Sequence, residues 1–129
     1  MSKFPSEKHF CSWLGLAPKH AISGGKVLKN RTLKTKNRAG QAFRMAAQSV
    51  KRSETVFGVK YRRMRARLGP AQATVAVAHA IARVAYRMLK YKVEYETISV
   101  EEYEKKYKAQ QLKYVKKKAA GLGFALVPA

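Results

Sequence analysis

Residues 71–91 read AQATVAVAHAIARVAYRMLKY, and the fold turns on how this stretch is read. Val75, Val77, Ala78, Ile81, Ala82, Val84, Ala85, Met88 and Leu89 cover most of a helical circumference. A helix that apolar is buried on several sides, so the stretch predicts the centre of a helical bundle. One polar stripe remains, His79, Arg83, Arg87 and Lys90. It reads either as a solvated face or as part of a phosphate-binding surface. Gly69-Pro70 breaks the preceding helix and starts this one, since proline suits a first helical turn.

Working back along the chain, Phe57, Tyr61, Met64 and Leu68 recur at helical spacing, with Ser53 as a candidate cap and Arg62, Arg63, Arg65 and Arg67 on the remaining surface. A helix over residues 40–52 buries Phe43, Ala46, Ala47 and Val50 and leaves Arg44, Gln48 and Lys51 elsewhere. The start, FPSEKHFCSWLGLAP, predicts a short helix capped by Ser6, with Glu7 in the first turn where the dipole favours an anion. Phe10, Trp13 and Leu14 form its apolar face, Trp13 and Cys11 are expected in the core, and Gly15 and Pro18 end it. Working forward, ISVEEYEKKYK announces a further helix: Ser99 and Glu102 have capping-box spacing, and Glu102–Lys106 is one of three i, i+4 pairs. Tyr103, Tyr107 and Tyr114 share a face that either stacks on bases or covers apolar surface. KKKAAGLGFALVPA is expected to be a flexible tail.

The expected class is therefore mainly α: a compact bundle of about four to five helices with a basic, glycine-containing loop or small β-hairpin between the first two. The expected division is 1–95 for the main domain and 96–129 for a charged helix and tail.

Charge limits the function. The 129 residues carry 28 Lys+Arg against 7 acids, a net charge of +21. Repulsion on that scale opposes compaction unless a polyanion neutralises it, and nucleic acid is the leading candidate. All seven acids are Glu, and no paired-carboxylate site is visible. His9, His20 and His79 are scattered without zinc spacing, so a metal site in this chain is not expected. Cys11 is the only cysteine, which excludes a disulfide within the chain. No apolar run approaches the roughly 18 residues of a membrane span, and the N-terminus has no apolar signal core, so a cytoplasmic protein without a membrane partner is expected.

The chemistry concentrates at residues 20–30, HAISGGKVLKN. The pair Gly24-Gly25 permits positive φ and close approach of a phosphate to the backbone. Lys19 stands before the glycines, Lys26, Lys29, Arg31, Lys34, Lys36 and Arg38 place a cation every two to three residues after them, and Arg44, Arg62 and Arg63 extend the candidate nucleic-acid-binding set. Ser23 is either an ordinary turn residue or a nucleophile presented to a phosphodiester. On spacing alone the turn is the commoner reading. His20, three residues earlier, is a candidate base or a solvated loop histidine.

Phe4, Ser6, Phe10, Leu14-Gly15-Leu16, Pro18 and Ser23-Gly24-Gly25-Lys26, followed by NRAGQAFRMAAQSV and VAVAHAIARVAYRMLK, resemble the C-terminal transposase domain of the insertion-sequence one-ten family, the bridge-RNA-guided DNA recombinases. The resemblance spans roughly residues 4–95. It implies that Ser23 is the family's functional serine, that DNA is the substrate, and that guide RNA and a homo-oligomer are partners. It also implies a RuvC-like acidic domain, acting in trans and holding the Mg²⁺. That domain has no counterpart in this sequence, so a truncated copy, split frame or excised domain, inactive alone, is expected. Where the family shows a glycine near K-x-G-N, this sequence has Lys34-Thr35-Lys36-Asn37. The rival expectations are a non-enzymatic, basic RNA-binding protein of ribosomal type and a protein-interaction module.

Overall fold

The computed structural model describes residues 1–34 and 37–129. They form two compact units, Met1–Glu96 and Thr97–Ala129. The first contains α1 (Glu7–Trp13), strands β1 (Pro18–Ser23) and β2 (Lys26–Thr32), α2 (Arg38–Ser49), a short 3-10 helix (Val50–Arg52), α3 (Val56–Leu68) and α4 (Pro70–Tyr91). The second contains α5 (Val100–Gly121). The protein is mainly helical, with a small antiparallel hairpin between the first two helices, as expected.

The central stretch is the 22-residue α4, with Pro70 in its first turn. Most of its buried positions are small: Ala73, Val77, Ala78 and Ala82 are inaccessible to solvent. Small side chains let α1, α2 and α3 approach its backbone closely. Thr74 and Tyr86 bring polar groups into this core, and both are satisfied. The Thr74 hydroxyl donates to the Pro70 carbonyl at 2.9 Å and accepts from Gln48 Nε2 at 2.8 Å. The Tyr86 hydroxyl donates to the Phe4 carbonyl at 2.7 Å. A buried polar group left without such bonds costs about 1–3 kcal/mol.

Three members of the polar stripe of α4, Arg83, Arg87 and Lys90, are exposed, as a solvated face requires, and they also have partners within the fold. Arg83 Nε donates to Glu7 Oε1 at 2.8 Å and Arg87 Nε to Oε2 at 3.2 Å. Lys90 Nζ donates to the Pro5 carbonyl and the Tyr86 hydroxyl, each at 2.8 Å. The stripe clamps the N-terminal segment onto α4, so these cations already have partners within the fold. Burial pushes the Glu7 carboxyl up, but the Arg83 bond and charge, with Arg87, outweigh it and hold it below the usual range. Phe4 and Phe10 meet edge to face at 5.3 Å, and Phe10 lies 5.8 Å from Tyr86.

Three local expectations are corrected. Trp13 is not core: it is 52% exposed and covers Phe4 and Phe10 from the rim. The cap of α3 is Thr55, which accepts from the Gly58 amide, while Ser53 bonds back to the Val50 carbonyl and to Thr55. The 3-10 turn ends the preceding segment at Arg52, which places Thr55, not Ser53, at the start of α3. In the second unit, Ser99 accepts from the Glu102 amide at 3.1 Å and Lys106 pairs with Glu102 at 2.6 Å. Residues 116–121 continue α5 to Gly121, so the expected tail is helical over its first part. Lysines near a helix C-terminus suit its dipole.

Candidate nucleic-acid interface

α1 ends at Leu14–Leu16: the Gly15 amide bonds the Ser12 carbonyl and the Leu16 amide bonds the Cys11 carbonyl, both at 3.0 Å. This 6→1, 5→2 pair closes the helix and buries Leu16 beside Cys11. The chain leaves that buried anchor directly into β1. α2 starts beside the same anchor. Asn37 caps α2 by accepting from the Gly40 amide at 3.2 Å and donates to the Trp13 carbonyl at 2.9 Å. Arg44 Nη2 donates to the Gly15 carbonyl at 2.9 Å. A Cβ at Gly40 would stand 2.1 Å from the Leu14 carbonyl oxygen, so only glycine lets the two backbones meet there. The end of α1 and the start of α2 thus form one pinned base on which the hairpin stands.

Beyond the base every residue of β1 is exposed, and so is β2 up to Arg31. Ser23 pairs with Lys26 across the two-residue loop Gly24-Gly25, whose φ values are 55° and 75°. Positive φ at both positions is the type I′ turn that matches strand twist, and it favours glycine. The other pairs are Pro18–Thr32, Lys19–Arg31, His20–Asn30, Ala21–Lys29 and Ile22–Val27, with a bulge between Ala21 and Ile22.

Cross-strand partners share a face, and successive residues alternate. Ser23, Lys26, Lys29, Lys19 and Arg31 therefore lie on one face. Ile22, Val27, His20 and Asn30 lie on the other. The bulge places Leu28 between the two sets and keeps Lys26 and Lys29 on the same side. His20 is thus turned away from Ser23, which removes it as that serine's base and leaves the solvated-histidine reading.

The remaining candidates separate into groups. Lys34 and Arg38 are exposed beside the hairpin base, and Lys36 lies outside the described residues. Arg44 is tied to the Gly15 carbonyl. Arg62 Nη1 donates to the carbonyls of Lys51 and Ser53 at 3.3 and 3.0 Å. Arg63 is partly buried with an interaction of its own. Arg44 and Arg62 are thus tied to the fold's own backbone. Sequence reasoning missed Asn37, although an Asn three residues before a helical glycine is a recognisable cap signal.

Cys11 is buried and its thiol is pushed up to about 11 by burial. On α4, burial lowers the His79 pKa, and the charges of Arg83 and Lys60 lower it further against Glu7. Among the described residues no three His, Cys, Asp or Glu side chains could hold a metal ion. No helix described is long and apolar enough to cross a membrane.

The fold and this face define a basic helical domain bearing a cationic β-hairpin arm with a serine at its tip. Residues 1–62 match the model of the Transposase IS116/IS110/IS902 family. It covers α1, the hairpin, α2 and the start of α3. No curated protein and no solved structure matches the chain.

Proposed function

We propose that this chain is the DNA-binding, serine-bearing domain of an insertion-sequence transposase, corresponding to the C-terminal domain of such an enzyme. The observation that carries the reading is the hairpin register: it sets Ser23 on the same face as Lys19, Lys26, Lys29 and Arg31, at an exposed turn. Cations beside a hydroxyl hold a phosphodiester and stabilise the charge that builds on its oxygens during attack. Ser23 Oγ bonds to phosphorus, its proton passes to a base outside the hairpin, and the P–O bond to the leaving sugar breaks. That sugar oxygen takes up a proton. The phosphoserine linkage keeps the bond energy, so another strand's hydroxyl can reverse the step.

This sequence holds no Asp, and its described His, Cys and Glu side chains form no metal site, so these residues do not fit the Mg²⁺ of such enzymes. The acidic residues act from a RuvC-like domain, within an oligomer that also holds guide RNA.

The test mixes the full chain with a RuvC-like domain of the same family, its guide RNA and target DNA. A covalent protein–DNA adduct that disappears in Ser23→Ala supports the nucleophile, and an adduct unchanged by that substitution refutes it. Steep loss of DNA affinity with salt is expected, and salt-independent binding would refute the cationic arm.

A further inference from the structure

Away from the hairpin, the 3-10 helix and α3 enclose an open cleft of about 560 Å³ lined by Lys51, Arg52, Glu54, Tyr61, Arg62 and Arg65. Four of these six residues are cationic. The one carboxylate, Glu54, is 90% exposed and 3.8 Å from Arg62, where an ion pair neutralises little. Arg62 and Arg65 stand at i, i+3 on the same helix, a spacing at which like charges repel. The cleft is also firm. Tyr61 is 3% exposed and forms its floor, and two backbone carbonyls hold the Arg62 guanidinium in place. Lys51, Arg52 and Arg65 stand exposed around it.

Crowding cations in a preformed cleft destabilises the fold unless an anion sits among them. Guanidinium groups match phosphate oxygens in planar, two-bond geometry. Small-molecule sites are enclosed and mostly apolar, and this cleft is neither. We infer that the cleft between the 3-10 helix and α3 holds backbone phosphates of a nucleic-acid strand, as a second contact separate from the hairpin arm. The inference rests on the reading that this chain works on nucleic acid.

The test measures affinity of the full chain for duplex DNA and for single-stranded RNA between 50 and 200 mM salt. The variants are Arg52→Gln/Arg65→Gln in the cleft and Lys19→Gln/Lys29→Gln on the arm. Each duplex phosphate contact contributes about 0.9 to the slope of log K against log salt, so losing two shrinks the salt-induced loss of affinity about tenfold. The nucleic acid for which the cleft variant shows that change is the one the cleft holds. Inorganic tripolyphosphate, added without nucleic acid, is expected to raise the melting temperature of the parent more than that of the cleft variant.

A cleft variant that matches the parent in slope, affinity and tripolyphosphate response overturns the inference, and a weakened arm variant in the same experiment leaves the proposed function standing. The reverse pattern keeps the cleft and overturns the arm.

Discussion

Gly40→Ala tests how the hairpin is held. In an ordinary helix this substitution stabilises by about 1 kcal/mol, because glycine has more backbone freedom to lose. At position 40 the new Cβ would lie 2.1 Å from the Leu14 carbonyl oxygen and 3.2 Å from its carbon. Ordinary contact begins near 3.4 Å, so the two backbones must separate by more than an ångström. Neither is the end of a flexible side chain. Overpacking of that kind costs about 3 kcal/mol, which outweighs the propensity gain and leaves a net loss of about 2 kcal/mol. For a domain of this size that lowers the melting temperature by about 8–16 °C.

The same displacement stretches the Asn37–Trp13 and Arg44–Gly15 bonds, so the arm loses its fixed base and, on the proposed function, DNA affinity is expected to fall as well. Gly121→Ala is the control: it lies in α5 with nothing within 4 Å of the added carbon, and it is expected to be neutral or stabilising. Urea unfolding of both variants, followed by circular dichroism, measures the difference. A Gly40→Ala protein as stable as its parent would refute the close contact between α1 and α2.

Three further outcomes follow from the titrating groups. His79 binds its proton less readily in the fold than at its ordinary 6.5, through burial and the Arg83 and Lys60 charges, with Glu7 opposing. The fold therefore loses stability as pH falls below 6.5, and His79→Asn is expected to flatten that limb of the urea midpoint against pH. Glu7, held below its ordinary 4.5, stabilises the fold above that pH and ceases to as pH falls through its folded value. Glu7→Gln is expected to cost about 1 kcal/mol at neutral pH, with the gap to the parent closing in acid. Cys11, with its thiol near 11, is expected to resist a thiol reagent at pH 8 in the folded protein and to react at once in urea. Rapid labelling of the native protein would contradict its burial.

α4 was legible because its apolar residues surround the helix, and no other element can bury such a surface. Ser99 and Pro70 were legible because caps and first turns act within four residues. The Gly24-Gly25 turn was visible as a turn, but the hairpin stayed one of two alternatives beside a loop, because an exposed two-stranded arm has no buried face to impose alternation. The polar stripe of α4 was seen, but not its partner, since Glu7 lies 76 residues from Arg83. Trp13 was misplaced because periodicity gives a helix's apolar side without saying how far its neighbours extend over it.

The sequence alone determined the helical class, the excess of positive charge and the place of the serine in a glycine turn. Each of these depends on composition or on residues a few positions apart. Tertiary structure decided which cations have partners within the fold and which are gathered on one face of the hairpin. Arg44 and Arg62 bond backbone carbonyls and Arg83 and Arg87 bond Glu7, while the hairpin register gathers Lys19, Lys26, Lys29 and Arg31 beside Ser23. A side chain's partners are chosen by contacts between distant segments, and those exist only once the chain has closed on itself.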